Sequence, residues 1–185
     1  MGVGVPPELV SSAEIENRLE PLYSRLKLPP GRLEIMSGIK ERRLWPLGFK
    51  PSDAAIIAGR DALSKTEVPL EEIGCLIMCS VCRDFLEPAT AAVVHNALGL
   101  PRNSLVFDIS NACLGVLTGM LCAANMIELG QIKAGMVVAG ENGRALLEHT
   151  IKILNEDTGQ TRRSIKKHFS SLTIGSGSFA VILSS

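Results

Sequence analysis

Three continuous apolar runs, each bounded by turn-forming residues, restrict the fold of this chain more than any other feature. They cover residues 73–80, 105–109 and 134–139. A strand buried on both faces is apolar throughout, whereas a strand with one solvated face alternates apolar and polar residues. Helical patterns separate the runs, and parallel strands need such crossover connections. The runs therefore predict an α/β fold with a mostly parallel sheet and helices on both of its faces.

The helical patterns differ in how much of their surface is apolar. Ser11 or Ser12 can cap an amphipathic helix that ends before residues 29–31, Pro-Pro-Gly. A helix rich in small residues begins near Pro51 and extends to residue 63, which suits close packing on a sheet. Residues 114–129 are apolar or small almost all round, so they predict a helix buried within the protein.

The remaining segments complete a chain that we expect to form one domain over residues 1–185. Residues 141–170 are polar and helical in pattern, which predicts an insertion exposed at the surface. Residues 172–183 resemble a glycine-interrupted strand. The length suits one domain with a sizeable core, and no internal repeat or low-complexity linker is visible.

Composition excludes several classes of function. The 19 basic and 19 acidic side chains cancel, so no long-range field favours nucleic acid or an anionic membrane surface. No signal peptide and no apolar run of membrane-spanning length are present, which predicts a cytoplasmic protein. Five cysteines without an export signal predict reduced thiols.

Cys113 lies where a predicted buried strand ends and a predicted helix begins. Unpaired N–H groups at a helix amino terminus favour the thiolate, so a cysteine there becomes nucleophilic near neutral pH. The same N–H groups can stabilise an oxyanion. An isolated cysteine more often packs as a small apolar residue, and we expect that role for Cys122. Small neighbours, Ala112 and Gly115, leave room for an acyl chain beside Cys113.

Cys75, Cys79 and Cys82 superficially resemble a metal or redox motif, but no second pair follows at the spacing of a zinc site. Cys75 and Cys79 lie within the first apolar run. We therefore predict that they pack in the core and that the chain holds no metal.

Four elements of the sequence together resemble a known family. They are Arg42-Arg43, residues 80–88 (Ser-Val-Cys-Arg-Asp-Phe-Leu-Glu-Pro), residues 111–113 (Asn-Ala-Cys) and residues 175–177 (Gly-Ser-Gly). They resemble the first half of ketoacyl synthase III enzymes of the thiolase superfamily, and more closely the acyl-CoA condensing enzymes of bacterial long-chain olefin biosynthesis. The resemblance covers nearly the whole chain.

The resemblance implies the amino-terminal half of a thiolase fold, which is built from two similar five-stranded halves. It also implies that Cys113 accepts an acyl group from coenzyme A or acyl carrier protein, without a permanently bound cofactor, before a Claisen condensation with a second acyl thioester. In the olefin-pathway relatives the base is a glutamate near the cysteine of the partner subunit, and Glu87 occupies that position here. Glu87 stands 26 residues before Cys113.

The resemblance further implies partners and a nucleotide contact. The histidine and asparagine that activate the donor thioester belong to the second half, so we expect a separate chain or a missing segment to supply them, in a homodimer or a heteromeric assembly. Arg42 and Arg43 resemble the position that meets the nucleotide of coenzyme A, and Trp45 follows closely enough to stack on adenine.

Two alternatives remain at this point. An ordinary 3-oxoacyl synthase III of fatty acid biosynthesis generates its nucleophile by decarboxylating a malonyl thioester, so it needs no glutamate base. A non-catalytic partner subunit needs neither a malonyl thioester nor a glutamate base. By its residue type alone Glu87 is ambiguous, because a carboxylate before a proline is commonly an ordinary loop residue.

Overall fold

The computed structural model describes all residues, 1–185, and divides them into two compact units. The first unit contains Met1–Val5, Phe49–Glu141 and Gly177–Ser185. The second contains Pro6–Gly48 and Asn142–Ser176. Each unit is therefore assembled from segments that are distant in the sequence.

The first unit is built on a five-stranded sheet. Its strands are β1 Gly2–Gly4, β4 Ile73–Met78, β5 Leu105–Asp108, β6 Ala134–Glu141 and β7 Gly177–Ser184. Their order across the sheet is β1-β7-β6-β4-β5. Strand β4 pairs in parallel with β5 and β6, whereas β7 runs antiparallel to both β6 and β1. Four strands thus share one direction, which confirms the mostly parallel α/β prediction.

Helices cover both faces of this sheet. They are α4 Pro51–Leu63, α5 Thr90–Leu98 and α6 Gly115–Glu128. Along β6 successive side chains point to opposite faces. Met136 and Val138 pack in one apolar cluster with residues of α4 and α5. Val137 packs in a second cluster with residues of α6.

Helix α6 approaches the sheet along one narrow side only. Gly115, Gly119 and Ala123 are its buried residues. By contrast Leu117 and Leu121 are each 62% exposed. The prediction of a helix buried all round is therefore wrong for this chain, because its glycine-bearing side meets the sheet and its leucine-bearing side faces outward.

The second unit has its own core. It contains the antiparallel pair β2 Glu8–Ser11 and β3 Glu41–Leu44. Its helices are α1 Ser12–Arg18, α2 Glu20–Leu26, α3 Arg32–Ser37, α7 Arg144–Glu156 and α8 Phe169–Thr173. Ser11 caps α1, and its side chain accepts a hydrogen bond from Glu14 N at 3.0 Å. The single helix predicted here is divided at Leu19, and Pro21 follows in the first turn of α2.

Two predictions about the end of the chain need correction. The segment after β6 is helical, as predicted, but Leu147 and Leu154 of α7 are fully buried, so it contributes to a core rather than only to a surface. The last strand begins at Gly177 instead of residue 172, because Leu172 and Thr173 complete α8. Separately, none of the helices combines the length and the apolar character that a membrane crossing requires.

Candidate active site

Cys113 lies in a short 3₁₀ turn between strand β5 and helix α6. The turn spans Ala112–Leu114, and its hydrogen bond joins Leu114 N to Asn111 O at 2.9 Å. Helix α6 begins two residues after the cysteine, at Gly115. The Cys113 side chain is exposed. The structure therefore presents the thiol at a strand-to-helix junction, where the sequence predicted it.

The backbone beside Cys113 adopts an unusual conformation. Ala112 has a φ of 44°, in the left-handed region that residues other than glycine rarely occupy. Such a conformation costs on the order of 1–3 kcal/mol and persists only where surrounding contacts impose it. Asn111 Nδ2 donates to Thr118 Oγ1 at 2.9 Å, and Thr118 Oγ1 donates to Leu114 O at 3.0 Å. These bonds tie the turn to the first turns of α6.

The other cysteines lie in less accessible surroundings. Cys75 and Cys79 are buried in the cluster beneath α6, as their predicted core role requires. Burial raises the pKa of Cys75 to about 11 and that of Cys79 to about 12. Cys82 and Cys122 are partly buried. Cys113 is the only cysteine whose side chain is exposed.

Glu87 is exposed in the loop of residues 79–89, which joins β4 to α5. The residues before it extend into solvent as well, since Leu86 is 88% exposed. The Glu87 carboxylate is thus free of the core.

Three carboxylates hold this loop, two at its ends and one within it, and sequence reasoning had assigned none of them a role. Glu141 accepts hydrogen bonds from two successive backbone N–H groups at the start of the loop. Asp84 accepts from both the backbone and the hydroxyl of Ser52, at 3.0 and 2.6 Å. Asp108 accepts from the first two N–H groups of α5. Asp108 and Glu141 end their strands, and an acidic residue at the carboxyl end of a parallel strand was a signal available in the sequence.

The three residues predicted to contact the nucleotide of coenzyme A belong to the second unit. Arg42 is only 6% exposed, and its guanidinium donates to Val10 O at 3.3 Å and to Ser12 Oγ at 2.9 Å. Trp45 is only 4% exposed. Burial of both side chains argues against stacking or phosphate contact in this conformation. Arg43 is exposed and donates to Pro6 O at 3.1 Å, so the nucleotide contact stays a prediction for Arg43.

The second unit also contains an apolar pocket that sequence reasoning missed. Its walls include Leu22, Leu33 and Phe169, and two cations, Arg32 and Lys166, also line it. Its accessible volume is only about 30 Å³, so it is a small gap in the core of this unit. No local pattern pointed to this pocket, because its residues come from parts of the chain more than 100 positions apart.

The sequence and fold place the chain in a known family. Residues 48–166 match the model of the thiolase N-terminal domain, and the chain belongs to this family. Among curated relatives, it is 48% identical over 177 residues to an acyl-CoA:acyl-CoA alkyltransferase of Shewanella oneidensis, covering 96% of this chain and 50% of that protein. It is 30% identical over 150 residues to the β-ketoacyl-[acyl-carrier-protein] synthase III of Koribacter versatilis, covering 81% of this chain and 43% of that protein.

A solved structure agrees with this assignment. The crystal structure of a glutamate-to-glutamine variant of Xanthomonas campestris OleA superposes with a TM-score of 0.93 at 37% identity, covering 99% of this chain and 53% of that chain. The resemblance predicted from the four sequence elements is thereby confirmed. The chain spans about half the length of the curated relatives it matches.

Proposed function

We propose that this chain is the nucleophile-bearing part of an acyltransferase that joins two acyl-CoA molecules by Claisen condensation. The observation that carries the proposal is the exposed Cys113 thiol on a strained turn at the start of α6. The relative with 48% identity supports the substrate class, because its name describes transfer between two acyl-CoA molecules.

In the first step, the Cys113 thiolate attacks the carbonyl carbon of an acyl thioester. A bond forms between Cys113 Sγ and the acyl carbon, the bond from that carbon to the sulfur of coenzyme A breaks, and coenzyme A leaves as a thiol after gaining a proton. Backbone N–H groups of the turn and of the first residues of α6 are the donors available to the oxyanion.

In the second step, the Glu87 carboxylate removes a proton from the carbon next to the thioester of a second acyl-CoA. The resulting carbanion attacks the acyl carbon on Cys113, a carbon–carbon bond forms, and the bond to Cys113 Sγ breaks. The product is a 2-alkyl-3-ketoacyl thioester, which keeps the thioester of the donor.

The assignment of Glu87 is supported by its separation from Cys113. Crystals of Xanthomonas campestris OleA include variants at one glutamate and at one cysteine, and these two positions stand 26 residues apart in that protein. Glu87 and Cys113 are separated by the same number of residues. Following the family, we propose that Glu87 serves the cysteine of a partner subunit in a dimer, and that a second thiolase half supplies the histidine and asparagine.

The test is acyl transfer to the purified chain. Incubation with a long-chain acyl-CoA should add the mass of one acyl group, slowly in the chain alone and faster with a second-half polypeptide, and peptide mapping should find that group on Cys113. The Cys113→Ala variant should gain no mass. Acylation of Cys82 or Cys122 instead would contradict the proposal.

The choice of donor distinguishes the two condensing reactions. The similarity to a β-ketoacyl-[acyl-carrier-protein] synthase III favours a malonyl donor as the second candidate. If the condensing assembly uses a second acyl-CoA efficiently and releases no carbon dioxide, the head-to-head reaction stands. Efficient use of malonyl thioester, with release of carbon dioxide, would assign the chain to fatty acid synthesis instead.

A further inference from the structure

Strand β4 lies between β6 and β5, and all three run in the same direction. Their carboxyl ends therefore meet at one edge of the sheet, where α/β proteins commonly place their sites. The loop of residues 79–89 leaves β4 at this edge and carries Glu87. Its two neighbours, β6 and β5, end at Glu141 and Asp108.

On one side, Glu141 holds the start of the loop. One of its carboxylate oxygens accepts from Val81 N at 2.6 Å, and the other accepts from Cys82 N at 3.1 Å. The side chain of the residue just before them is tied to the same strand, because Gly140 N donates to Ser80 Oγ at 2.8 Å. The loop thus leaves β4 attached to the end of β6.

On the other side, Asp108 holds the end of the loop. Its two carboxylate oxygens accept from Thr90 N at 2.9 Å and from Ala91 N at 2.8 Å. These are the first two residues of α5, whose own N-cap residue, Ala89, makes no side-chain capping bond. A carboxylate at a helix amino terminus satisfies its unpaired N–H groups and complements its dipole. Asp108 therefore supplies the missing cap from the neighbouring strand.

Between these two attachments the loop is held at one further point, where the Asp84 carboxylate accepts from the backbone N–H and the hydroxyl of Ser52 on α4, at 3.0 and 2.6 Å. After Asp84 the loop has little support from the core. Phe85 and Leu86 are 39% and 88% exposed, and Glu87 is exposed too. The position of Glu87 relative to the sheet consequently depends on how the loop is held on either side of it. Both ends are held by hydrogen bonds to charged oxygens, which are stronger than bonds between neutral groups.

We propose that Asp108 and Glu141 are a pair of positioning residues that hold the Glu87 loop from the two strands beside β4. This inference rests on the proposed function, since it assumes that Glu87 is the base. Both oxygens of each carboxylate accept from backbone N–H groups. Each acts through the backbone of the loop, and together they set where the Glu87 carboxylate stands at the edge of the sheet.

A double-mutant cycle in the condensing assembly that contains this chain tests the proposal. Asp108→Asn and Glu141→Gln keep the size of the side chain but turn one accepting oxygen into an NH₂ group, which opposes the backbone N–H. Each should lower the condensation rate by up to about a hundredfold, the cost of displacing a reacting group by about 1 Å. In a Glu87→Gln background the same substitutions should change the remaining rate by less than about twofold. Asp53→Asn, an exposed carboxylate on α4, is the matched control and should change neither rate.

The outcomes separate this inference from the assignment of the base. A loss with Glu87→Gln but none with Asp108→Asn or Glu141→Gln overturns the positioning role alone. Equal losses in both backgrounds also overturn it, because the carboxylates would then act independently of Glu87. No loss with Glu87→Gln overturns the assignment of the base, and the positioning role with it.

Amide hydrogen exchange of the unaltered 185-residue chain tests the same contacts without any variant. The N–H groups of Val81, Cys82, Thr90 and Ala91 should be protected, whereas those of Leu86 and Glu87 should exchange rapidly. Fast exchange at the four bonded amides would overturn the proposal even if a variant fails to fold.

Discussion

At the scale of single residues, exposure separates the five free thiols. Cys113 is exposed, whereas Cys75 and Cys79 are buried with pKa values raised to about 11 and about 12. A raised pKa leaves a thiol protonated at neutral pH, and only the thiolate is strongly nucleophilic. Access therefore favours Cys113, and protonation further lowers the reactivity of the two core cysteines.

We predict that brief treatment with limiting iodoacetamide at neutral pH alkylates Cys113 first. Cys75 and Cys79 should stay unmodified until the chain unfolds or the pH approaches their raised pKa values. Peptide mass spectrometry measures the order of labelling, and cerulenin, which is bound to OleA in a solved structure, serves as a second probe. Faster labelling of Cys82 or Cys122 would show that exposure at the turn does not control reactivity.

The proposed base leads to a separate prediction at the same scale. Glu87→Gln keeps the size and polarity of the side chain but removes its basicity. Acylation of Cys113 should continue, while condensation in the complete assembly should fall by roughly a hundredfold or more, as expected for a lost general base. Acyl-enzyme formation and product release are measured separately, with Glu34→Gln on the exposed surface of α3 as the control. Native condensation by Glu87→Gln would place the base elsewhere.

At the scale of elements, the contact between α6 and the sheet depends on Gly119. A Cβ atom at this position would overlap Cys79 Sγ and lie 3.0 Å from Val137 Cγ1. The absent side chain is therefore what lets the helix approach β4 and β6 so closely.

We predict that Gly119→Ala destabilises the chain by roughly 1–3 kcal/mol, the usual effect of overpacking a core. This exceeds the gain of up to about 1 kcal/mol that alanine brings to a helix. Denaturant unfolding measures the change, and Glu128→Ala at an exposed position of α6 outside the leucine stripe should stay within about 0.5 kcal/mol of the unaltered chain. Combining Gly119→Ala with Cys79→Ala should restore part of the lost stability, and purely additive losses would contradict the proposed overlap.

At the scale of the whole molecule, the outward side of α6 is unusual because it exposes several large apolar side chains. Leu114, Leu117 and Leu121 recur at three- and four-residue intervals, and they are 56%, 62% and 62% exposed. Residues at this spacing form one stripe along a helix. Contiguous exposed apolar surface of this kind marks an interaction site.

We predict that the chain alone does not remain a monomer. Each leucine that becomes buried contributes roughly 1.5–3 kcal/mol to association. Sedimentation should show oligomers, and replacing both Leu117 and Leu121 by Glu should shift the chain to monomer with unchanged circular dichroism. Leu47→Glu, at an exposed leucine of the second unit, should leave association unchanged. A monodisperse, folded monomer of the unaltered chain would refute the prediction.

Local patterns in the sequence were sufficient to predict most of the elements that place Cys113. The start and end of α4, the three parallel strands and the junction before α6 follow from apolar runs, caps and turn residues, which act over a few neighbouring positions. The predicted burial on both faces is wrong for β5, because this strand lies at the edge of the sheet and leaves Leu105 52% exposed. The family assignment followed in the same way, from four short motifs. Among the candidate site residues, the junction position of Cys113 could be predicted because it depends on where one strand ends and one helix begins.

Only the tertiary structure decided which sides of these elements are covered and what holds the Glu87 loop. The exposure of Leu117, the burial of Arg42 and the bonds from Asp108 to the start of α5 each depend on segments far apart in the sequence. Periodicity shows that a helix has an apolar side but not which neighbour covers it. A sequence likewise shows that a carboxylate is present, but its hydrogen-bond partners are set by the order of strands in the sheet.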